Sequence, residues 1–139
     1  MDATDIRMVA QMKRAFTNTL SNNVRKTAEF YEKLLGMKRH FDSDWFVILT
    51  HPGINGLEYG ILQKDHEIVP EVARTEPGGS IMTFVVEDCD RVHATARELR
   101  ADIVNEPTDM PYGQRRMLLR DPDGTMIDVS APTAPLAEN

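Results

Sequence analysis

Two carboxylates stand within short apolar segments of this 139-residue chain, and they are its clearest candidates for chemistry. Glu58 lies in the segment LEYGIL and Asp128 lies in TMIDV, and both segments have the composition of a β-strand. A carboxylate buried without a partner is costly, so each must face water, a cation, a hydrogen-bond donor or a ligand. Carboxylates in a pocket act as general bases or metal ligands. Glu58 and Asp128 are therefore the candidate catalytic residues if the protein is an enzyme.

The composition argues against several classes of function. The formal net charge is −6, from 22 acidic and 16 basic residues, so we expect no nucleic-acid partner, because such a partner requires a basic surface. No apolar run is long enough to cross a bilayer, and the first residues lack the apolar centre of a secretion signal. The single cysteine, Cys89, cannot form an internal disulfide. We therefore expect a cytoplasmic protein without a membrane partner.

The elements that must position the carboxylates form an internal repeat. An alternating segment, a cap at Asn22 or Asn23 and an amphipathic helix follow one another in the first half, and the same order recurs around Asp88 in the second. Asn23 and Asp88 are 65 residues apart, as are Leu34 and Leu99. The predicted buried stripes of the two helices are Val24, Thr27, Tyr31 and Leu34, and Cys89, Val92, Ala96 and Leu99.

Three strand-like segments follow each helix, and HPGING or DPDG turns the chain between the last two. The segments are 37–41, 45–50 and 57–62 in the first half, and 102–106, 115–120 and 125–129 in the second. The predicted fold class is therefore α+β, with two tandem βαβββ modules. The predicted organisation is an N-terminal arm (1–14), a first module (15–64), a linker (65–79), a second module (80–131) and a disordered tail (132–139).

Two segments, NVRKTAEFYEKLLGM and PYGQRRMLLRDPDGTMIDV, resemble the first helix and the closing hairpin of the vicinal oxygen chelate superfamily. That superfamily includes glyoxalases, bleomycin-resistance proteins and extradiol dioxygenases, and the resemblance covers residues 15–131. It implies that the modules form an open, mixed-sheet barrel with the helices outside and a ligand cavity inside. It also implies a homodimer, because members commonly pair. The superfamily contains enzymes and non-catalytic binders, so the fold alone does not define an activity.

In metal-using members, the ligands lie on the first and last strand of each module. The resemblance carries these positions to Phe16, Glu58, Ile81 and Asp128, with the segment LEY matched to IDV. Phe16 and Ile81 have no lone pair to offer, so Glu58 and Asp128 are a two-carboxylate remnant. Two ligands do not form the protein shell of zinc, nickel or iron sites. We therefore expect no cofactor, with a weakly held, water-rich Mg²⁺ as the alternative.

Strand alternation predicts which residues share a cavity with the carboxylates. Pairing across DPDG sets Asp128 opposite Met117, and pairing across HPGING directs Trp45 inward. The predicted cavity is mostly apolar, with Trp45 as an aromatic face and the two carboxylates attracting a cation or held by Arg115. The predicted ligand-binding residues are Phe16, Asn18, Trp45, Val47, Glu58, Ile81, Thr83, Arg115, Met117 and Asp128.

Three functions remain open at this point. The first is a metal-free protein that sequesters a small organic molecule with an aromatic or cationic portion, as drug-resistance proteins do. The second is an enzyme of the glyoxalase or lyase type, in which Glu58 or Asp128 acts as a base or a weak metal ligand. The third is a sensory or partner-binding module whose pocket has no catalytic task.

Overall fold

The computed structural model describes residues 9–133, and the repeat predicted from the sequence organises all of its main elements. The first module comprises β1 (Thr17–Ser21), α1 (Val24–Leu35), β2 (Lys38–Asp42), β3 (Phe46–His51) and β4 (Ile54–Gln63). The second comprises β5 (Met82–Val85), α2 (Cys89–Glu98), β6 (Asp102–Met110), β7 (Gln114–Arg120) and β8 (Met126–Pro132). Most of the predicted arm and tail, residues 1–8 and 134–139, lies outside the described residues.

Each module forms one four-stranded mixed sheet. The strand orders are β1–β4–β3–β2 and β5–β8–β7–β6, and the first strand of each module pairs in parallel with the last. The remaining pairings are antiparallel. These findings confirm the α+β fold with two tandem βαβββ modules, although the described sheets stay open instead of closing into a complete barrel. No helix between residues 9 and 133 has the length and apolarity needed to cross a bilayer.

The helix boundaries follow from local side-chain chemistry. The Asn23 side chain accepts a hydrogen bond from the backbone N–H of Lys26 at 3.1 Å, which identifies Asn23 as the cap of α1. Gly36 ends α1 with a φ of +70°, a conformation that glycine adopts without a steric penalty. Asp88 caps α2 by accepting from the backbone N–H of Arg91 at 3.1 Å. The predicted caps are confirmed.

One apolar core joins the two modules. The predicted stripe of α1 is fully buried, whereas in α2 only Cys89 and Ala96 are buried, and Val92 and Leu99 pack at the margin. Tyr31 lies at the centre, with its ring 5.1 Å from that of Tyr59 in its own module and 6.0 Å from that of Phe84 in the other. Edge-to-face and tilted contacts of this kind favour a fixed mutual orientation of the rings.

A polar contact between the modules crosses this core at the turn DPDGT, residues 121–125, which we name the intermodule turn. Asp121 is buried, and its Oδ2 accepts a hydrogen bond from Tyr31 Oη of α1 at 2.7 Å. Its Oδ1 accepts from the backbone N–H groups of Asp123 and Thr125, each at 2.9 Å. The turn that closes the second sheet is therefore also bonded to the helix of the first module.

Asp123 extends this contact to the start of α1. Its carboxylate accepts from the backbone N–H of Asn22 at 2.8 Å and from the hydroxyl of buried Thr27 at 2.5 Å. Thr19 of β1 and Thr125 share a further buried hydroxyl contact at 3.0 Å. Because an unsatisfied buried polar group costs about 1–3 kcal/mol, these reciprocal bonds fix one relative placement of the modules.

The segment between the sheets is ordered by its own hydrogen bonds. It contains a short 3₁₀ helix at Glu71–Ala73, where the sequence predicts a linker. The Arg74 guanidinium donates to the carbonyl oxygens of Val69 and His66, each at 3.0 Å. Val69 is buried in consequence. Bonds within the linker therefore define its own conformation.

The intermodule turn generates a pH prediction. Burial raises the pKa of Asp121 above its ordinary value, although hydrogen bonds from Tyr31, Thr125 and Asp123 partly oppose the shift. The folded protein therefore holds a proton on Asp121 at a pH where the unfolded chain has released it. The stability that this proton contributes is complete below about pH 3.9 and declines as the pH rises through the raised pKa.

We expect the substitution Asp121→Asn to remove this dependence, because asparagine keeps an oxygen for the two backbone donors and does not ionise. Thermal unfolding of both proteins between about pH 4 and pH 7 should show the variant gaining relative to the natural protein as the pH rises. Val72→Ala, at an exposed linker residue that does not ionise, serves as the control and should show no such trend. A difference between Asp121→Asn and the natural protein that stays constant with pH would contradict the prediction.

Candidate functional site

The helices cover one side of each sheet and leave the opposite side, which we name the open face, without a helical layer. On the first sheet Tyr59 and Ile61 point into the core, so the alternate residues Glu58 and Gly60 lie on the open face. On the second sheet Ile127 and Val129 point into the core, and Asp128 lies between them on the open face. Both candidate carboxylates therefore stand on open faces, each on the last strand of its module.

The predicted partners of these carboxylates on β3 and β7 are wrong by one residue. Met117 pairs with Val129 and is fully buried in the core, whereas Leu118 pairs with Asp128. The cause is the intermodule turn: Asp121 and Thr125 close it through a backbone hydrogen bond at 2.9 Å, which makes the loop one residue longer than the predicted pairing allows. A slip of one residue moves every side chain of a strand to the other face.

The first sheet shows the same kind of displacement. Val47 pairs with Ile61 and is fully buried beneath α1, so its predicted position on the open face is also wrong. The register between β3 and β4 shifts at an irregularity between Leu49 and His51. Phe46 lies on the open face instead.

Arg115 has a different partner from the one that the sequence predicts. It shares the core side of β7 with Met117, and its guanidinium donates to Asp90 of α2 and to Asp109 of β6, each at 3.0 Å. It therefore does not hold Asp128. The Arg115 contacts join α2 to the edge of the second sheet and lie away from the open face.

Glu58 is held by a residue that the sequence reasoning missed. Arg14 Nε lies 2.6 Å from Glu58 Oε2 and Arg14 Nη2 lies 2.5 Å from Oε1, which is a two-point ion pair. These bonds lower the pKa of Glu58 below its ordinary value. The available signal was the period-two alternation of the segment that leads into β1, because extending it back from Asn18 places Phe16 and Arg14 on the same face.

Phe16 completes this arrangement. The guanidinium carbon of Arg14 lies 4.6 Å from the centre of the Phe16 ring, a cation–π distance. The phenyl ring is 36% exposed, so one part of it remains open to solvent. Arg14 thus lies between an aromatic ring and a carboxylate, at the two places that the family resemblance assigns to metal ligands in the first module.

Asp128 is satisfied by hydroxyl groups. Its Oδ1 accepts from Ser130 at 2.5 Å and its Oδ2 accepts from Thr83 at 3.3 Å, and Thr83 stands directly opposite it on β5. The equivalent place in the first module is Gly60 opposite Asn18, since Asn18 and Thr83 are 65 residues apart. The predicted match of LEY with IDV is therefore wrong in register, and Asp128 corresponds to Gly60.

The residues present do not fit the metal site of metal-using relatives. Phe16 and Ile81 cannot donate a lone pair, and both oxygens of Glu58 are already bonded to the Arg14 guanidinium. Within residues 9–133 no three His, Cys, Asp or Glu side chains are grouped so that they could hold an ion. The donor chemistry of this chain therefore differs from that of the metal-using members.

Two clefts adjoin the open faces. One, which we name the Arg14 cleft, has a volume of about 630 Å³ and contains Lys13, Arg14, His40, Asn55 and Glu58. The other, of about 230 Å³, lies where β1 and β8 approach each other beneath the linker and includes Asn18, Ser80 and Met126. Glu58 lines the Arg14 cleft, whereas Asp128 lines neither of the two, so the two carboxylates do not share either cleft.

Trp45 has one face already covered. Its ring stacks on His66 of the linker, with centroids 4.1 Å apart and an angle of 16°, and it lies 5.8 Å from Phe46. It precedes β3 instead of standing within it. A ligand that uses Trp45 therefore has to approach from its remaining exposed surface or displace His66.

The chain was compared with families, curated proteins and solved structures. The model of the Glyoxalase/Bleomycin resistance protein/Dioxygenase superfamily matches residues 15–129. No curated protein matches. A family enzyme from Burkholderia phytofirmans is 17% identical, with a TM-score of 0.72, covering 84% of this chain and 96% of its own. Lactoylglutathione lyase from Agrobacterium tumefaciens is 14% identical, with a TM-score of 0.65, covering 87% of this chain and 94% of its own.

These identities show the shared fold alone. Because the family model spans most of the chain, the protein belongs to the Glyoxalase/Bleomycin resistance protein/Dioxygenase superfamily.

Proposed function

We propose that this protein binds a small organic molecule with an aromatic portion on its open faces, without a metal ion, and holds it chemically unchanged. The observation that carries the proposal is the occupancy of the two first-strand positions by Phe16 and Ile81. Both side chains are apolar and exposed, to 36% and 58%, in a family whose metal-using members place ligands there. Exposed apolar groups beside a few polar ones are typical of small-molecule sites.

Charge favours the aromatic over the cationic ligand. A free carboxylate attracts a cation, but Glu58 is already compensated by Arg14 at 2.5 and 2.6 Å. Asp128 is occupied by two hydroxyl donors. A second aromatic ring would bind most favourably against the exposed part of the Phe16 ring, because aromatic pairs attract each other.

Glu58 is a poor candidate for the general base of an enzyme. A general base needs a pKa close to the working pH, whereas the ion pair with Arg14 lowers the pKa of Glu58 from its ordinary value. The observation that keeps an enzyme as the second candidate is the shared fold with a lactoylglutathione lyase. Asp128, which has no ion pair among the described residues, is its better base.

Ligand binding is tested by screening aromatic compounds through the emission of Trp45, the single tryptophan, and a second probe such as calorimetry. We expect the bound compound to be recovered unchanged by mass spectrometry and the protein to carry no stoichiometric transition metal. Phe16→Ala should weaken binding about fivefold, the effect of losing one aromatic contact. The control Tyr112→Ala removes an exposed ring from the turn between β6 and β7, outside both sheets, and should leave the affinity unchanged. Product formation, or one tightly held metal ion per chain, would contradict the proposal.

We also propose that a second copy of the chain covers the open faces. Ile81 and Val85, 58% and 63% exposed, stand on the open face of the second sheet, and Phe16 and Phe41 stand on that of the first. Exposed apolar groups on the same face of each sheet favour association, and two-fold pairing buries both faces at once.

Light scattering on the purified protein should therefore give twice the mass of one chain. Ile81→Asp places a charge within the covered face and should shift the population towards the monomer. Val72→Asp, at an exposed linker residue outside the sheets, is the control and should leave the mass unchanged. A natural protein that is monomeric throughout the accessible concentration range rules out this pairing.

A further inference from the structure

The Arg14 guanidinium contacts both an aromatic ring and a carboxylate, whereas most surface ion pairs contact only the opposite charge. It lies against the ring of Phe16 on one side and bonds both oxygens of Glu58 on the other. A guanidinium has five N–H donors, and the Glu58 contact uses two of them. Three donors therefore remain for a further acceptor beside the exposed part of the Phe16 ring.

The surrounding cleft has a surplus of positive charge. Lys13 and Arg14 contribute two cations, and Glu58 is the one carboxylate among the residues that line it. His51 also lies there but is engaged, because its Nδ1 accepts from the backbone N–H of Gly53 at 2.9 Å and its Nε2 lies 3.0 Å from the carbonyl oxygen of Leu35. Lys13 has no ion pair among residues 9–133, and its charge adds to that of Arg14 in the cleft.

We propose that the Arg14 cleft binds an oxyanion, the carboxylate or phosphate of the protein's ligand, and that Arg14 is the cation that recognises it. The proposal rests on the proposed binding function and narrows its ligand class to aromatic anions. The volume of about 630 Å³ accommodates a molecule of drug size. The planar fork of arginine suits both carboxylate and phosphate, whereas lysine acts as a point charge.

The same geometry accounts for the altered metal positions of the first module. A divalent ion there would supply positive charge to an oxygen of the ligand. Arg14 supplies a permanent positive charge next to Phe16 and Glu58, and a second cation brought to that place meets repulsion. The cleft therefore selects against cationic ligands.

Four probes of similar size and different charge test the proposal: benzoate, phenyl phosphate, benzyl alcohol and benzylamine. Each is titrated into the isotope-labelled full chain, and the side-chain Nε–H resonance of Arg14 is followed by NMR. We expect benzoate or phenyl phosphate to shift this resonance in a saturable manner, and the two anions distinguish a carboxylate from a phosphate ligand. Binding of benzylamine or benzyl alcohol as tight as that of the anions would overturn the proposal.

Three variants make the test specific. Arg14→Met should weaken anion binding about tenfold or more, because charge-assisted hydrogen bonds are lost. Glu58→Gln should strengthen it about threefold, since it removes a repelling charge and releases donors of Arg14. Arg25→Met removes an equal charge from an exposed pair with Asp44 on α1 and should have no effect. The double variant Arg14→Met/Glu58→Gln should still bind anions more weakly than the natural protein, which separates the loss of the cation from the exposure of the carboxylate.

The outcomes separate this proposal from the proposed function. If aromatic screening yields a ligand but its affinity is indifferent to Arg14→Met and Glu58→Gln, the oxyanion site is wrong and the binding function stands. Equal losses from Arg14→Met and Arg25→Met also overturn the site, because they indicate a general effect of net charge. If neither the screen nor any of the four probes detects binding, both proposals fail.

Discussion

The buried carboxylate of Asp121 is the interaction on which the arrangement of this protein depends. It closes the last hairpin of the second module and accepts a hydrogen bond from Tyr31 of the first. Its neighbour Asp123 bonds the start of α1 through Asn22 and Thr27. One turn therefore determines both the register of the second sheet and the placement of one module against the other. The positions of the two open faces follow from it.

The chemistry on those faces is set by small departures from a metal-using pattern. Phe16 and Ile81 replace donors with apolar surface, and Arg14 supplies the positive charge beside Glu58. Asp128 keeps its carboxylate on the open face, where the hydroxyl groups of Thr83 and Ser130 donate hydrogen bonds to it. Under the function proposed above, this set of groups favours an organic molecule over an ion.

The sequence predicted the features that depend on local chemistry. Caps at Asn23 and Asp88 and the alternation that exposes Glu58 and Asp128 require only neighbouring residues, and the structure contains all of them. The register of Met117 was wrong, because it depends on the length of a turn that Asp121 closes through contacts across the molecule. The resemblance supplied the family, but neither the register of LEY against IDV nor the contact between Arg14 and Glu58, which joins residues 44 apart.

The backbone of β4 carries one further consequence for how this family member can change. Gly60 lies beneath the amide of Asn18, and a Cβ atom at Gly60 would stand 2.0 Å from Asn18 Oδ1. No side chain fits there while the asparagine keeps its rotamer, so the acidic group found at Asp128 in the other half has no room at the matching place. A residue with a Cβ at position 60 therefore requires Asn18 to leave its present rotamer or to be replaced, which couples the two positions.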